Sequence, residues 1–308
     1  MRKIKKKNSP IRQHYIPQVY LRNFCGLNDS IAVWDKKSKK IFSTGINAVG
    51  VERDFYTLDK LDDPYYWEHT YANGVEPLMG KVIPQILSRA NLLVQSGTVI
   101  ISPIEKAHLA IIMVMQMLRG KQCREYERKI FEDELPSIIN AAKRIRGNFT
   151  EQELEFVEAF RKDEFYFKRS VMDAALSSER IIRYAKILCT RSFICFYLRG
   201  TSEFVTSDNP VMFFNQRTAN SSPFSHGLLQ IETGVCYPLS PRLLLYAVHP
   251  ASSLRMLVKS DCCLVTLNSN QEIELVKSMN RMQAEQCYRQ TYAKSEKALN
   301  SISNTEYL

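Results

Sequence analysis

The chain lacks paired cysteines, a glycine-rich phosphate loop and a long apolar run, and each absence removes a class of protein. Its eight cysteines (Cys25, Cys123, Cys189, Cys195, Cys236, Cys262, Cys263, Cys287) are scattered through apolar stretches with no Cys-x-x-Cys pair. Structural zinc needs close ligand pairs, and secreted disulfide scaffolds are shorter and denser in cysteine, so these residues read as reduced, buried fillers. Without Gly-x-Gly-x-x-Gly or a Walker loop there is no Rossmann dinucleotide site and no P-loop. Without Gly-x-Ser-x-Gly there is no nucleophile elbow. The longest apolar run, Leu109 to Met115, is too short to span a bilayer, and residues 8–24 contain no signal-peptide core. These readings place the protein in the cytoplasm and off the membrane. With only 11 glycines and 12 prolines in 308 residues, and no repeat or low-complexity block, the chain is expected to fold throughout.

What is present is a hydrophobic content of 45% and a formal net charge of +10. More than half of that charge sits in Arg2, Lys3, Lys5, Lys6, Lys7 and Arg12, with no acid among them. Such an arm can neutralise phosphates without reading bases, which makes nucleic acid the partner it suits; the bland alternative is a solubilising tail. Residues 1–12 are read as this flexible arm and 13–300 as a single α+β domain.

Within that domain the pattern predicts a short helix over 17–24 opened by Pro17, then a β-hairpin region over 31–57. A helical part follows over 64–188, with the first helix interrupted at Asn73-Gly74 and at Pro77 and Pro84. Ser102-Pro103-Ile104-Glu105 is a capping box, and the helix it opens is apolar on nearly every side, which marks it as central and buried. Thr150 to Glu153 is a second capping box. Short apolar runs over 191–268 predict an antiparallel sheet, with 215–227 as a polar loop, and Asn268 to Gln271 cap a last helix over 269–297. The segregation of strands and helices indicates α+β: a central helical bundle packed with an antiparallel sheet from the C-terminal half and an N-terminal hairpin.

Two stretches fit none of these elements plainly. One is Gln13-His14-Tyr15-Ile16-Pro17-Gln18-Val19-Tyr20-Leu21-Arg22-Asn23-Phe24. The other is Thr206-Ser207-Asp208-Asn209-Pro210, after an apolar run. Together they resemble the bacterial domain of unknown function 4238, whose members open on His-Tyr-x-Pro-x-x-Tyr/Phe-Leu-x-x-Phe and carry a late Thr-Ser-Asp-x-Pro turn. The resemblance also covers a Gln-x-x-Arg pair on the central helix, here Gln116 and Arg119. It extends to an acidic-Phe-Tyr segment, here Glu52 to Tyr56, and to a helical glutamate, here Glu76. It brings an architecture and candidate positions, not a reaction.

His14 titrates near neutral pH and can serve as acid, base or ligand, and Arg22 can clamp a phosphate or carboxylate. Asp208 can act as base or metal ligand, or can close an Asx turn. His14, Asp208, Gln116 and Arg119 are therefore the candidate catalytic set, with Tyr15, Gln18, Arg22, Ser207 and Asn209 as candidate substrate contacts. Glu52, Asp54, Glu68 and Glu76 complete the carboxylate supply. Glu52, Glu76 and Asp208 are the residues that could hold Mg²⁺ or Mn²⁺, although no spacing enforces a metal. Three function classes follow. The first is a hydrolase on nucleic acid or nucleotides, nuclease-like, which the scattered bacterial occurrence of the family places by analogy in toxin or phage-defence systems. The second is a non-catalytic module binding nucleic acid or protein, its polar motifs structural. The third is a small-molecule enzyme. The first is the expectation taken forward, with His14 and Asp208 meeting in one site and Arg22 or Arg119 neutralising the carboxylate.

Overall fold

The computed structural model, which describes residues 11–92, 95–216, 227–258 and 260–303, is an α+β fold. Nearly all of the basic arm and most of the polar loop expected at 215–227 lie outside the described residues. Strand β1 (Arg12–His14) opens the fold, and Pro17 serves as N-cap residue to helix α1 (Gln18–Leu21), which a 3-10 turn, Arg22–Phe24, extends. Strands β2 (Ser30–Asp35) and β3 (Lys40–Gly45) form the expected hairpin. Strand β4 (Val51–Arg53) does not join it but pairs antiparallel with β1. The amides of Tyr15 and Ile16 both donate to the carbonyl of Gly50, which has φ +58°. A Cβ there would stand 2.8 Å from that of Ile16, so both the backbone and the close approach call for glycine.

The helix expected as two pieces or with a kink is two α segments joined by a change of helix type in its seventies, and Pro84 lies inside the second without ending it. Helix α2 (Tyr66–Thr70) passes through a π-helical turn, Tyr71–Val75, into α3 (Glu76–Leu92). The wider turn takes up Asn73-Gly74 and the missing amide of Pro77 without a stop, and such π turns often mark functional segments. Helix α4 (Pro103–Arg119) begins at the Ser102/Glu105 capping box, both halves of which are formed. Helices α5 (Lys121–Arg146), α6 (Glu151–Lys162), α7 (Glu164–Ala175) and α8 (Ser178–Thr190) complete the bundle.

The C-terminal half supplies β5 (Ser192–Tyr197), β6 (Thr206–Ser207), β7 (Met212–Asn215), β8 (Thr233–Ser240), β9 (Leu243–Val248) and β10 (Cys263–Thr266). Five of them order as β10-β5-β9-β8-β7, antiparallel except for the parallel β10–β5 pair. The sixth, β6, leaves that sheet. It pairs with β11 (Gln290–Ala293) in a second sheet, β3-β2-β11-β6, that contains the N-terminal hairpin. The single last helix expected over 269–297 is therefore corrected: α9 (Ser269–Gln286) ends before β11, and α10 (Glu296–Ser303) follows.

Period-two alternation lets the five-stranded sheet serve two cores. Val235, Tyr237 and Leu239 of β8, with Leu243, Leu245 and Ala247 of β9, face the helical layer that contains α4. Their neighbours Cys236, Leu244, Tyr246 and Val248 face Val276, Met279 and Met282 of α9. Leu109, Ile112, Met113 and Val114 of α4 are all fully buried, as the apolar pattern requires. No helix among the described residues is long and apolar enough to cross a membrane. The eight cysteines are unpaired and six of them buried, and burial pushes the thiols of Cys123, Cys262 and Cys287 up to about 12, so they are inert fillers.

Candidate functional site

The N-terminal segment is fastened by side chains that reach its backbone. Gln13 is buried; its Nε2 donates to Thr57 Oγ1 at 3.0 Å and its Oε1 accepts from the Tyr56 amide at 2.5 Å. Two polar residues near the C-terminal end of α4 meet the next two carbonyls. Arg119 Nη2 donates to His14 O at 2.6 Å, and Gln116 Nε2 donates to Tyr15 O at 3.2 Å. Each supplies a buried carbonyl with a hydrogen bond that solvent cannot provide.

Arg119 also organises an interior polar cluster. It is 1% exposed, yet burial does not neutralise it, because Tyr56, Glu76 and Tyr71 together hold its pKa above the usual value. Its Nε donates to Tyr56 Oη at 3.0 Å, its Nη2 lies 3.3 Å from Glu76 Oε1, and its guanidinium sits 4.3 Å over the Tyr71 ring. Five buried polar atoms around it have no hydrogen-bond partner among the described residues: Arg119 Nη1, Gln116 Oε1, Tyr71 Oη, Tyr237 Oη and Glu68 Oε2. Glu68 and Tyr237 both lie within electrostatic range of Arg119. Burial, assisted by the like charge of Glu76, raises Glu68 to about 7 against the pull of Arg119. A carboxyl of that pKa can move a proton near neutral pH, and a free guanidinium N–H can polarise a carbonyl or hold an oxyanion. The π turn lies between the two glutamates and supplies Tyr71.

Asp208 has a different task. Its Oδ1 accepts from the Tyr288 amide at 2.7 Å, and its Oδ2 accepts from Arg289 and Gln290 at 2.7 and 2.9 Å. Its own amide donates to Gln290 O at 3.0 Å. Burial raises the carboxyl to about 6 even though the three amides favour its charged form. This carboxylate turns the chain out of α9 and into β11. Around it, Ser207 Oγ accepts from Gln283 Nε2 and from the Asn209 amide, and Asn209 Nδ2 donates to Gln286 O at 3.0 Å.

The two motifs do meet, through Tyr20 rather than His14. Tyr20 Oη stands 2.7 Å from both Thr206 Oγ1 and Pro238 O, and its ring stacks on Tyr237. His14 is half-buried, its Nε2 lies 3.1 Å from Gln18 Nε2, and burial lowers its pKa. No hydrogen bond or ion pair joins His14 to Asp208. Neither arginine expected to neutralise Asp208 does so: Arg22 pairs with Asp29 at 3.8 Å in solvent, and Arg119 pairs with Glu76. Backbone amides already satisfy that carboxylate. The ring of Tyr15 packs on Phe55, and desolvation with the nearby Asp208 raises its phenol. Each of the metal trio is engaged by another partner: Glu52 is bonded to Lys121 at 2.6 Å, Glu76 to Arg119, and Asp208 to backbone amides. Among the described residues no group of three or more His, Cys, Asp or Glu is placed to hold a metal ion. Sequence reasoning missed Tyr71 and Tyr237: Tyr237 sits in an apolar run that signals only core, and Tyr71 in a mixed helical stretch where nothing marks it out.

A basic surface forms at the β2–β3 turn. Asp35 accepts from the Lys37 and Ser38 amides at 3.1 and 2.9 Å and from Arg289 Nε at 2.8 Å, which locks the turn onto the α9–β11 loop. Lys36 Nζ donates to Glu285 O at 2.8 Å. Lys37, Lys39 and Lys40 are exposed beside Arg289.

No curated protein and no solved structure matches the chain. The model of one family, described as a protein of unknown function (DUF4238), matches residues 12–297. The motifs that pin the N-terminal segment and turn the chain into β11 lie within that span, and the chain belongs to this family.

Proposed function

We propose that the protein is a non-catalytic, nucleic-acid-binding module of the cytoplasm, in which the two family motifs hold the fold. The observation that carries the reading is the lysine turn. Asp35 shapes it and pairs with Arg289, and Lys37, Lys39 and Lys40 stand exposed on the same hairpin, a local cluster of positive charge of the kind that meets phosphates. The N-terminal arm adds charge of the same kind. The candidate catalytic groups support the reading from the other side. Gln116, Arg119 and Asp208 are at most 2% exposed and spend their hydrogen bonds largely on backbone, out of reach of a polymer. Binding to single- and double-stranded DNA and RNA, measured at several salt concentrations, tests this. Lys37→Glu with Lys40→Glu should weaken binding and shallow the salt slope by ~1–2, since each phosphate contact contributes ~0.7–0.9. Unchanged affinity and slope would remove the turn from the interface.

A second reading is favoured by one observation, the near-neutral Glu68 within electrostatic range of Arg119, whose Nη1 has no hydrogen-bond partner among the described residues. In it the protein is a hydrolase on nucleic acid or nucleotides, in toxin or phage-defence systems, with Glu68 as proton-transfer group. Purified protein assayed on those four polymers and on nucleotides, with and without Mg²⁺ or Mn²⁺, tests it. Turnover that Glu68→Gln abolishes without loss of fold would replace the first reading.

A further inference from the structure

Helix α5 outruns the body of the protein. Its first turns are anchored: Cys123 and Arg124 are buried, Arg124 Nη2 donates to Phe55 O, and Glu127 and Arg128 pair with Arg180 and Glu164 at 2.7 Å. Beyond them the helix remains apolar on one side. Leu135, Ile138, Ala142 and Ile145 recur at spacings of three, four and three, the alternation of a coiled-coil seam. Ile138 is 58% exposed and Ile145 89%, and none of the four joins a hydrophobic core of the chain. Pro136 follows the first seam position and points away from the stripe, so its missing amide does not disturb it.

The charges beside the seam are polarised. Glu132, Asp133 and Glu134 flank its start, and Lys143, Arg144 and Arg146 flank its end. Of the six, Glu132, Glu134 and Arg146 border the stripe, whereas Asp133 and Arg144 lie on the opposite face of the helix, so Glu132 and Arg146 bear most directly on a helix laid along it. A parallel copy would set acid on acid and base on base. An antiparallel copy, related by a two-fold axis near Asn140, sets each acidic end on a basic one. That same axis puts Leu135 opposite Ile145 and Ile138 opposite Ala142 of the second copy, so the outer layers pair two large aliphatics and the inner layers set a large residue on a small one. It also brings Glu132 against Arg146. One register therefore satisfies both the apolar spacing and the charge, and an isologous two-fold contact of this kind closes on itself.

We propose that this chain self-associates through an antiparallel pair of α5 helices, residues 132–146 of one copy against the same residues of a second. The seam is short, ~15 Å at 1.5 Å per residue, which puts the contact at the weak end of specific interfaces.

Sedimentation velocity of the full chain between about 5 and 300 µM tests this, with far-UV circular dichroism to confirm that each variant keeps its helix. The unaltered chain should shift from monomer to dimer across the range. Ile138→Asp with Ile145→Asp should abolish the shift. Glu132→Arg alone and Arg146→Glu alone should each weaken association at least ~5-fold, and the two together should restore most of it. Arg146 also contacts Glu153 within its own chain, so restoration in the double variant is the decisive comparison. A chain that remains monomeric at about 300 µM overturns the proposal. So does a dimer indifferent to the isoleucine changes. A double variant no better than the singles rules out the antiparallel register and overturns it as well.

Discussion

Glu68→Gln should stabilise the protein, and only above the pH at which the buried carboxyl begins to ionise. Glu68 Oε2 is buried without a hydrogen-bond partner among the described residues, and burial raises the group from 4.5 to about 7. Below about pH 4.5 the carboxyl is protonated in both folded and unfolded chains, so glutamate and glutamine should be equivalent. Between 4.5 and 7 the unfolded chain releases its proton first, which favours unfolding, and the full penalty is present above 7. At ~1.4 kcal/mol per pKa unit the ceiling is about 3 kcal/mol. Glu68 is only half-buried, and solvent screening reduces this to about 1–2 kcal/mol. In a chain of this size that corresponds to ~2–5 °C in Tm. Paired thermal and urea melts at pH 3.5 and pH 8 measure it. The unaltered protein should fall behind the glutamine variant as pH rises, with no gap at pH 3.5. A variant less stable than the original at pH 8, or a gap of the same size at both pH values, would refute the account of a carboxyl held out of water beside Arg119.

Other perturbations probe the remaining parts. Ile112→Ala, at a fully buried position of α4, should cost about 2–5 kcal/mol in urea unfolding, and Ile111→Ala, half-buried one residue earlier, distinctly less. Equal small losses would put α4 at the surface. Asp208→Asn retains one acceptor for three amides and should destabilise by about 1–3 kcal/mol; a neutral result would mean that the α9–β11 turn stands without it. Deleting residues 2–7 should leave Tm within about 2 °C while flattening the salt dependence of nucleic-acid binding, and a large fall in Tm would show that the arm is packed.

Local signals were sufficient for much of this fold. The Ser102 capping box and the apolar run behind it located the buried central helix, because capping and burial pattern are properties of neighbouring residues. Alternating apolar runs located β2, β3, β5, β8 and β9 for the same reason. The odd polar stretches were also legible as places where something specific happens. What happens there was not legible. Asp208 read as a base, a metal ligand or the closer of a local Asx turn, yet its partners are amides about eighty residues later, and those bonds are what end α9 and create β11. The two-residue β6 left its sequence neighbours for the N-terminal sheet because β11 offered it an edge. Arg119 and Gln116 appeared as catalytic types on a helix, and only their approach to the carbonyls of His14 and Tyr15 made them fasteners. Helix and strand periodicity is written into contiguous residues. The partner of a buried charge is chosen by which distant backbone groups would otherwise lack a hydrogen bond, and that is decided when the layers close.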